Sequence, residues 1–201
     1  MQKVLSNEQI EAFYHDEFVE DQARHFMALS VHVLPDTMPV TDIGGGCGYF
    51  ARRLAHLTGR RVRVIDMDPV SIEICRSAGI EADCGDALAP KISGDLGIVS
   101  FNLMLHHLVG SSEQITRDLQ RRALSVWRPH VRAVFVNEYI YESWLGNFSG
   151  WLIYQVTSSR FLSQIGRAVA TLVPSLRANT FGVGVRFRAH EEWVQLFASA
   201  G

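Results

Sequence analysis

The chain has 201 residues, 47% of them apolar and 20% charged, an ordinary globular mixture whose length suits one compact domain. Nineteen Lys and Arg against 21 Asp and Glu leave a net charge of −2, which excludes the basic footprint of a nucleic-acid binder. The cysteines Cys47, Cys75 and Cys84 form neither a CxxC nor a His-spaced pattern, so neither a disulfide framework nor a zinc site has support. They read as small buried hydrophobes in a reducing cytoplasm. The opening MQKVLSNEQIEAFYHDEF is polar and acidic, without the apolar core of a signal peptide. No stretch reaches the roughly 18 uncharged apolar residues of a spanning helix, so no membrane association is expected.

From Asn7 to about Ser30 the apolar residues Ile10, Phe13, Tyr14, Phe18, Phe26 and Leu29 recur at helical intervals, and Ser6 or Asn7 offers an N-cap. Beyond Pro35 and Pro39 short β-branched runs alternate with helical stretches. VTDI precedes a helix from Phe50 to Leu57, and RVRVID precedes a helix from Ile72 to Ala78, with Asp68 before Pro69 as its N-cap. Strands follow at Ile80–Cys84, Gly97–Leu103 and Ala133–Tyr139, with a helix from Ser111 or Ser112 to Trp127 before the last. Strands joined by helical crossovers lie parallel and build a doubly wound, Rossmann-like α/β sheet, in which ligands bind beyond the carboxyl ends of the strands. The whole chain reads as one domain: a helical cap over residues 1–30, a core over 31–142, a helical insertion or lid over 143–188 and a terminal amphipathic helix over 189–201. The insertion carries Trp144, Phe148, Trp151, Tyr154, Phe161 and Phe181, which suit either a cover over an apolar acceptor or a surface pairing two copies in a homodimer.

The most specific feature is Thr41-Asp42-Ile43-Gly44-Gly45-Gly46-Cys47-Gly48-Tyr49-Phe50, at the junction of the first strand and its helix. Glycine there permits positive φ and lets a ligand lie against bare backbone. A dinucleotide fingerprint starting at Gly46 places Phe50 in its middle and Ala51 at its end, which keeps a nicotinamide-dependent oxidoreductase open as an alternative.

DIGGGCGYFARRL resembles the glycine-rich motif of the class I S-adenosylmethionine-dependent methyltransferases, with Asp42 as its acid and Gly44, Gly46 and Gly48 as its glycines. VIDMDP is similar to the family's second signature, and the resemblance implies that Asp66 receives the ribose hydroxyls while the Met67 thioether lies on a purine face. CGDAL resembles the third, implying adenine contacts from Asp86 and Ala87, and GIVSFNLMLHHLVG resembles the fourth-strand segment, implying contacts to the methionine portion from Asn102 and Leu103. Two departures stand out. Gly97 occupies the strand start where the family often has Asp, and no residues remain after LFASAG for a final antiparallel pair of strands. Asp42 has a second reading, as a cap of its own loop.

The resemblance implies S-adenosyl-L-methionine as cofactor and methyl transfer to an O or N atom of a small-molecule acceptor. Positioning dominates such an in-line displacement, and a base is needed only for a hydroxyl or a protonated amine. His106 is the candidate base or orienter. Side chains of neighbouring helical residues diverge, so His106 and His107 make a poor metal pair, with one of them toward the pocket. Tyr139, Tyr141 and Glu138 are further acceptor-side candidates. A noncatalytic, cofactor-binding regulatory module is the remaining alternative.

Overall fold

The β-branched runs of the core become five short strands: β1 (Val40–Ile43), β2 (Val62–Asp66), β3 (Glu81–Cys84), β4 (Ile98–Asn102) and β5 (Ala133–Asn137). In the computed structural model, which describes residues 16–31, 35, 37–92, 96–142, 151–155 and 184–201, they form one sheet in the order β3-β2-β1-β4-β5. Every neighbouring pair is parallel. Val40 lies opposite Val62 on one side and Ile98 on the other, so β1 is the centre of the sheet. All four of its residues are buried, as are the first four of β4, as expected of strands covered on both faces, even though Thr41, Asp42 and Ser100 are polar. The strand order reverses between β1 and β4, placing a topological switch point at the end of β1.

The helices are α1 (Asp16–Ser30), α2 (Tyr49–Thr58), α3 (Pro69–Ser77), α4 (Glu113–Trp127) and α5 (His190–Ala200). Their ends follow local chemistry. Asp68 caps α3 by accepting hydrogen bonds from the backbone amides of Val70 (3.3 Å) and Ser71 (3.1 Å), with Pro69 in the first turn where no amide is needed. That cap starts α3 three residues earlier than apolar periodicity alone indicates. Ser112 Oγ accepts from Ile115 N at 3.2 Å ahead of α4. Gly97 is explained by packing: its φ is +58°, and a Cβ there would stand 2.2 Å from the carbonyl oxygen of Pro39, so no acid fits at that position.

The described residues of 16–105 and 122–138, with Gly201, form one compact unit that contains the entire sheet; the described residues of 106–121 and 139–200 form another. In the first unit, one core cluster joins Val40, Val62, Val64 and Ile98 of the sheet to Phe50 and Leu54 of α2, Ile72 and Cys75 of α3, and Ala23 and Phe26 of α1. The Phe26 ring meets Phe135 edge-on at 4.9 Å and Phe50 at 6.3 Å. Glu20, on α1, pairs with Arg53 of α2. Cys47 and Cys75 are buried as expected, but Cys84, at the end of an edge strand that is mostly exposed, is exposed.

The second unit is organised around two buried arginines. Arg186 Nε and Arg188 Nη1 donate to the two oxygens of Glu113 at 2.8 and 2.7 Å, and Arg188 Nε donates to Gln120 Oε1 at 2.8 Å. The Arg188 guanidinium also stands over the Trp193 ring, 5.9 Å from its centroid. Arg186 N donates to His106 O, and Tyr141 N to Arg188 O. The end of the expected lid is thus built into this unit, because Gly184 to Arg188 supply backbone pairing and buried charge that apolar spacing does not reveal. Phe13, Tyr14, Trp144, Phe148, Phe161 and Phe181, like Ser6 and Asn7, lie outside the described residues. No described helix is long and apolar enough to cross a membrane.

Candidate functional site

The glycine loop lies at the switch point. Gly44, Gly46 and Gly48 all have positive φ, at 72°, 52° and 75°. Gly44 N donates to Ile65 O at 2.7 Å, and a Cβ on Gly44 would meet Met104 Cγ at 2.3 Å. Only a residue without a side chain lets the loop close both on β2 and on the segment following β4.

Asp66, at the end of β2, accepts Gly46 N at Oδ2 and Asp68 N at Oδ1, both at 2.9 Å. The carboxylate is fixed between the glycine loop and the start of α3, and each oxygen keeps a lone pair for a further donor. Met67 is 48% exposed, which removes it from the core and leaves its thioether available. Asp68 is fully occupied as a helix cap and also accepts from Ser71 Oγ at 2.7 Å. Asp86 closes a turn, its Oδ1 accepting from Leu88 N at 2.8 Å, and Ala87 O accepts from the indole of Trp127 at 2.8 Å. These bonds pin the segment after β3 to α4.

Asp42 is the most unusual residue of the site. It is 0% exposed, and neither of its oxygens has a hydrogen-bond partner; nor has Ser100 Oγ, opposite it in the β1–β4 register. Burial pushes its carboxyl up to about 8; the Ser100 hydroxyl draws it partway down without reaching bonding geometry, and the Asp66 charge raises it again. A Cβ on Gly45 would stand 2.4 Å from Asp42 Oδ2, so bare backbone lies directly on the carboxyl group. The reading of Asp42 as a cap of its own loop fails, since it accepts no loop amide. An acceptor buried without partners beneath bare loop backbone fits a cationic amine above the loop, because such a charge compensates the cost of leaving a carboxylate unpaired.

At the end of β4 the Asn102 amide is already engaged: Nδ2 donates to Gln22 Oε1 and Oδ1 accepts from Asn137 Nδ2, both at 2.8 Å. Its side chain therefore orders its neighbours as much as it offers contacts. Leu103 follows with φ +54°, its N donating to Asn137 O at 2.7 Å. Glu138 Oε1 accepts from Leu105 N at 2.5 Å, a structural use that takes one of its oxygens from any acceptor. Gln22 and Asn137 are not evident from sequence motifs; the available signal for Gln22 is a polar residue one turn before Phe26 on the buried face of α1.

Asp42, Gly44, Gly46, Gly48, Asp66, Met67, Asp86, Ala87, Asn102 and Leu103 all belong to the first unit, at or beyond the carboxyl ends of β1 to β4. His106 belongs to the second. It is 4% exposed, on a 3-10 turn (Leu105–His107), with its ring stacked on Phe187 at 5.0 Å and edge-on to Tyr139 at 5.7 Å. The expected divergence of the two histidines is not observed: the tighter 3-10 turn brings their rings within 4.1 Å. Burial, then the charge of His106, hold the His107 imidazole well below its ordinary value. No group of three or more metal-ligating side chains occurs among the described residues.

No family model and no curated protein match the chain in sequence. In structure it is similar to the [4+2]-cyclase SpnF, at TM-score 0.58 and 15% identity, over 90% of this chain and 57% of that one. It is similar also to the mitomycin 7-O-methyltransferase MmcR, at TM-score 0.57 and 16% identity, over 92% of this chain and 48% of that one. A third is S-adenosylmethionine-bound CalS10, an amino pentose methyltransferase of Micromonospora echinaspora, at TM-score 0.53 and 16% identity, over 73% of this chain and 63% of that one. The chain spans about half to two thirds of the length of these three structures. With the all-parallel β3-β2-β1-β4-β5 order and a glycine loop at its switch point, the chain has the fold of the class I S-adenosylmethionine-dependent methyltransferases.

Proposed function

We propose that the chain binds S-adenosylmethionine and transfers its methyl group to an oxygen or nitrogen of a small-molecule acceptor. The observation that carries this reading is Asp42, a buried acid with no partner beneath bare glycine backbone, with the Asp66 carboxylate at the end of the neighbouring strand. Asp42 and the loop suit an amino-acid tail, Asp66 suits vicinal hydroxyls, and Met67 with the Asp86–Ala87 turn suits a purine. Two of the similar structures, the mitomycin 7-O-methyltransferase and the amino pentose methyltransferase, act on small molecules by name and lend support to that acceptor class.

The cofactor supplies an electrophilic methyl group on a sulfonium. The chain's own residues would hold and orient it: the glycine loop after β1 would hold the amino-acid end and Asp66, ending β2, the ribose, with the β4 end on the other side of the loop. Placing the reacting atoms in line is the largest contribution protein residues make to such a reaction. For a hydroxyl acceptor, His106 takes the proton, as an imidazole held in one orientation by Phe187 and Tyr139.

The fold alone does not decide the reaction, since a [4+2]-cyclase shares it. Binding and turnover are therefore measured separately. Calorimetry with S-adenosylhomocysteine is expected to give binding, while NADH gives none; the reverse result overturns the reading in favour of an oxidoreductase. Labelled donor incubated with a metabolite extract is expected to yield a methylated product, and binding without any product across many acceptors favours a noncatalytic, cofactor-binding module.

A further inference from the structure

We infer that a cavity at the β2–β3 edge of the sheet is a second ligand site, separate from the glycine loop, and that it takes an aromatic anion: a planar apolar ring carrying a carboxylate or a phosphate.

Side chains alternate along a strand, and this fixes where the cavity lies. Val62 and Val64 of β2 and Ala82 of β3 belong to the core cluster with α2 and α3. Arg63 and Ile65, and Asp83 opposite Ile65, therefore point to the other face of the sheet. The described part of the connection from β3 to β4 contains no helix to cover that face, and a cavity of about 250 Å³ remains there. Its walls include Arg63, Ile65, Asp83, Asp86, Lys91 and Trp127, whereas Asp42, Asp66, Met67 and the loop glycines do not line it. A cavity of about 150 Å³ already admits benzene, so this one has room for an aromatic ring and a polar group attached to it.

The chemistry of the occupant follows from the walls. Ile65 and Trp127 are buried and give an apolar floor, and the indole is held in place by its bond to Ala87 O at 2.8 Å. Both carboxylates are already engaged by the chain. Asp83 stands 3.8 Å from Arg63 and 3.9 Å from Arg76, and Asp86 Oδ1 accepts from Leu88 N at 2.8 Å. Lys91 is exposed and makes no ion pair among the described residues. With Arg76 included, three cations face two carboxylates. A positive surplus beside an apolar floor selects an anionic group on an apolar body, the anion fixing orientation and the ring filling the volume.

The test titrates the full chain by calorimetry with phenyl phosphate, benzoate, inorganic phosphate and benzyl alcohol. The two aryl anions are expected to bind about tenfold or more tighter than inorganic phosphate or benzyl alcohol. Lys91→Glu, a change at an exposed residue, is expected to weaken both aryl anions about tenfold and to leave S-adenosylhomocysteine affinity unchanged. Cys84 locates the occupant, because it lines the cavity and is exposed while Cys47 and Cys75 are buried. Phenyl phosphate is expected to slow alkylation of Cys84 by iodoacetamide, read by peptide mass, in the wild type and not in Lys91→Glu. Absence of binding, equal affinity for benzyl alcohol, equal affinity of the Lys91→Glu variant, or unchanged alkylation of Cys84 each overturns the inference. Displacement of phenyl phosphate by S-adenosylhomocysteine also overturns it, since the probe then occupies the glycine-loop crevice. A preference for phenyl phosphate over benzoate supports the site with a phosphate as its anion, and the reverse preference supports it with a carboxylate.

Discussion

Asp66 Oδ2 and Gly46 N, twenty residues apart in the chain, are joined by a hydrogen bond of 2.9 Å that ties the end of β2 to the middle of the glycine loop. One carboxylate thus shapes the loop and remains available to a ligand. Asp66→Ala is expected to weaken S-adenosylhomocysteine binding by about 1.5–3 kcal/mol, as for a lost charge-assisted hydrogen bond. Asp66→Asn, which keeps an acceptor, is expected to fall between the two. Calorimetry measures both, and full affinity in the alanine variant removes the ribose assignment.

Asp42 makes stability and binding depend on pH in opposite senses. Its carboxyl lies at about 8 in the folded chain against 3.8 ordinarily, so the native state holds this proton more tightly than the unfolded chain does. The associated stability is complete below pH 3.8 and is lost as pH rises toward 8, at up to ~1.4 kcal/mol per pH unit. Asp42→Asn is expected to flatten that slope, melting higher than the wild type at pH 8 but not at pH 4. A bound ammonium favours the ionised acid, so S-adenosylhomocysteine affinity is expected to rise between pH 6 and 8 in the wild type and to stay flat in Asp42→Asn. Identical profiles for the two proteins would detach Asp42 from the ligand.

Two glycines separate loop strain from site chemistry. A methyl on Gly45 runs into Asp42 Oδ2 at 2.4 Å, whereas one on Gly59, which ends α2 at φ +66°, meets nothing within 4 Å. Gly59→Ala is expected to cost about 1–2 kcal/mol of stability from its left-handed backbone alone, with ligand affinity unchanged. Gly45→Ala is expected to abolish detectable binding. Equal affinities for both variants in a titration would contradict the close approach of loop and acid.

In the second unit, Glu113 is the shared anion of Arg186 and Arg188. Glu113→Gln leaves two buried guanidinium groups competing for one neutral oxygen and is expected to destabilise by about 3 kcal/mol, the scale for breaking a buried pair on one side. Glu192 lies near both arginines and lessens the loss. Denaturant unfolding measures it, and a variant as stable as the wild type shows that the network contributes nothing.

His106→Ala is expected to lower the methyl-transfer rate by 10²-fold or more with a hydroxyl acceptor, the usual scale for losing a positioned base, while S-adenosylhomocysteine affinity holds. A full-rate variant removes His106 from the chemistry.

Strand positions and the acids at their ends were legible in the sequence because each rests on a local signal: VTDI, VRVID and IVSFN are short runs with β-branched residues and the length of strands, and Asp68 before Pro69 is an N-cap signal. The glycine loop was legible for the same reason. What local signals do not carry is pairing across the chain. Gln22 meets Asn102 eighty residues away, and Arg188 meets Glu113 over seventy-five. Nothing near Gln22 marks it as more than a polar residue on a helix. Asp42 illustrates the intermediate case: its type and spacing are visible, but that it accepts no bond from its own loop is a fact of the fold.

Leu103 is the one non-glycine residue among those described with positive φ, and it stands between β4 and the Met104 side chain that touches Gly44. A leucine pays about 1–2 kcal/mol for that backbone angle, where a glycine would pay little. The chain therefore carries its tension in a bulky residue at the crevice, so that the turn arrives already bent, and a visiting molecule spends none of its affinity on bending it.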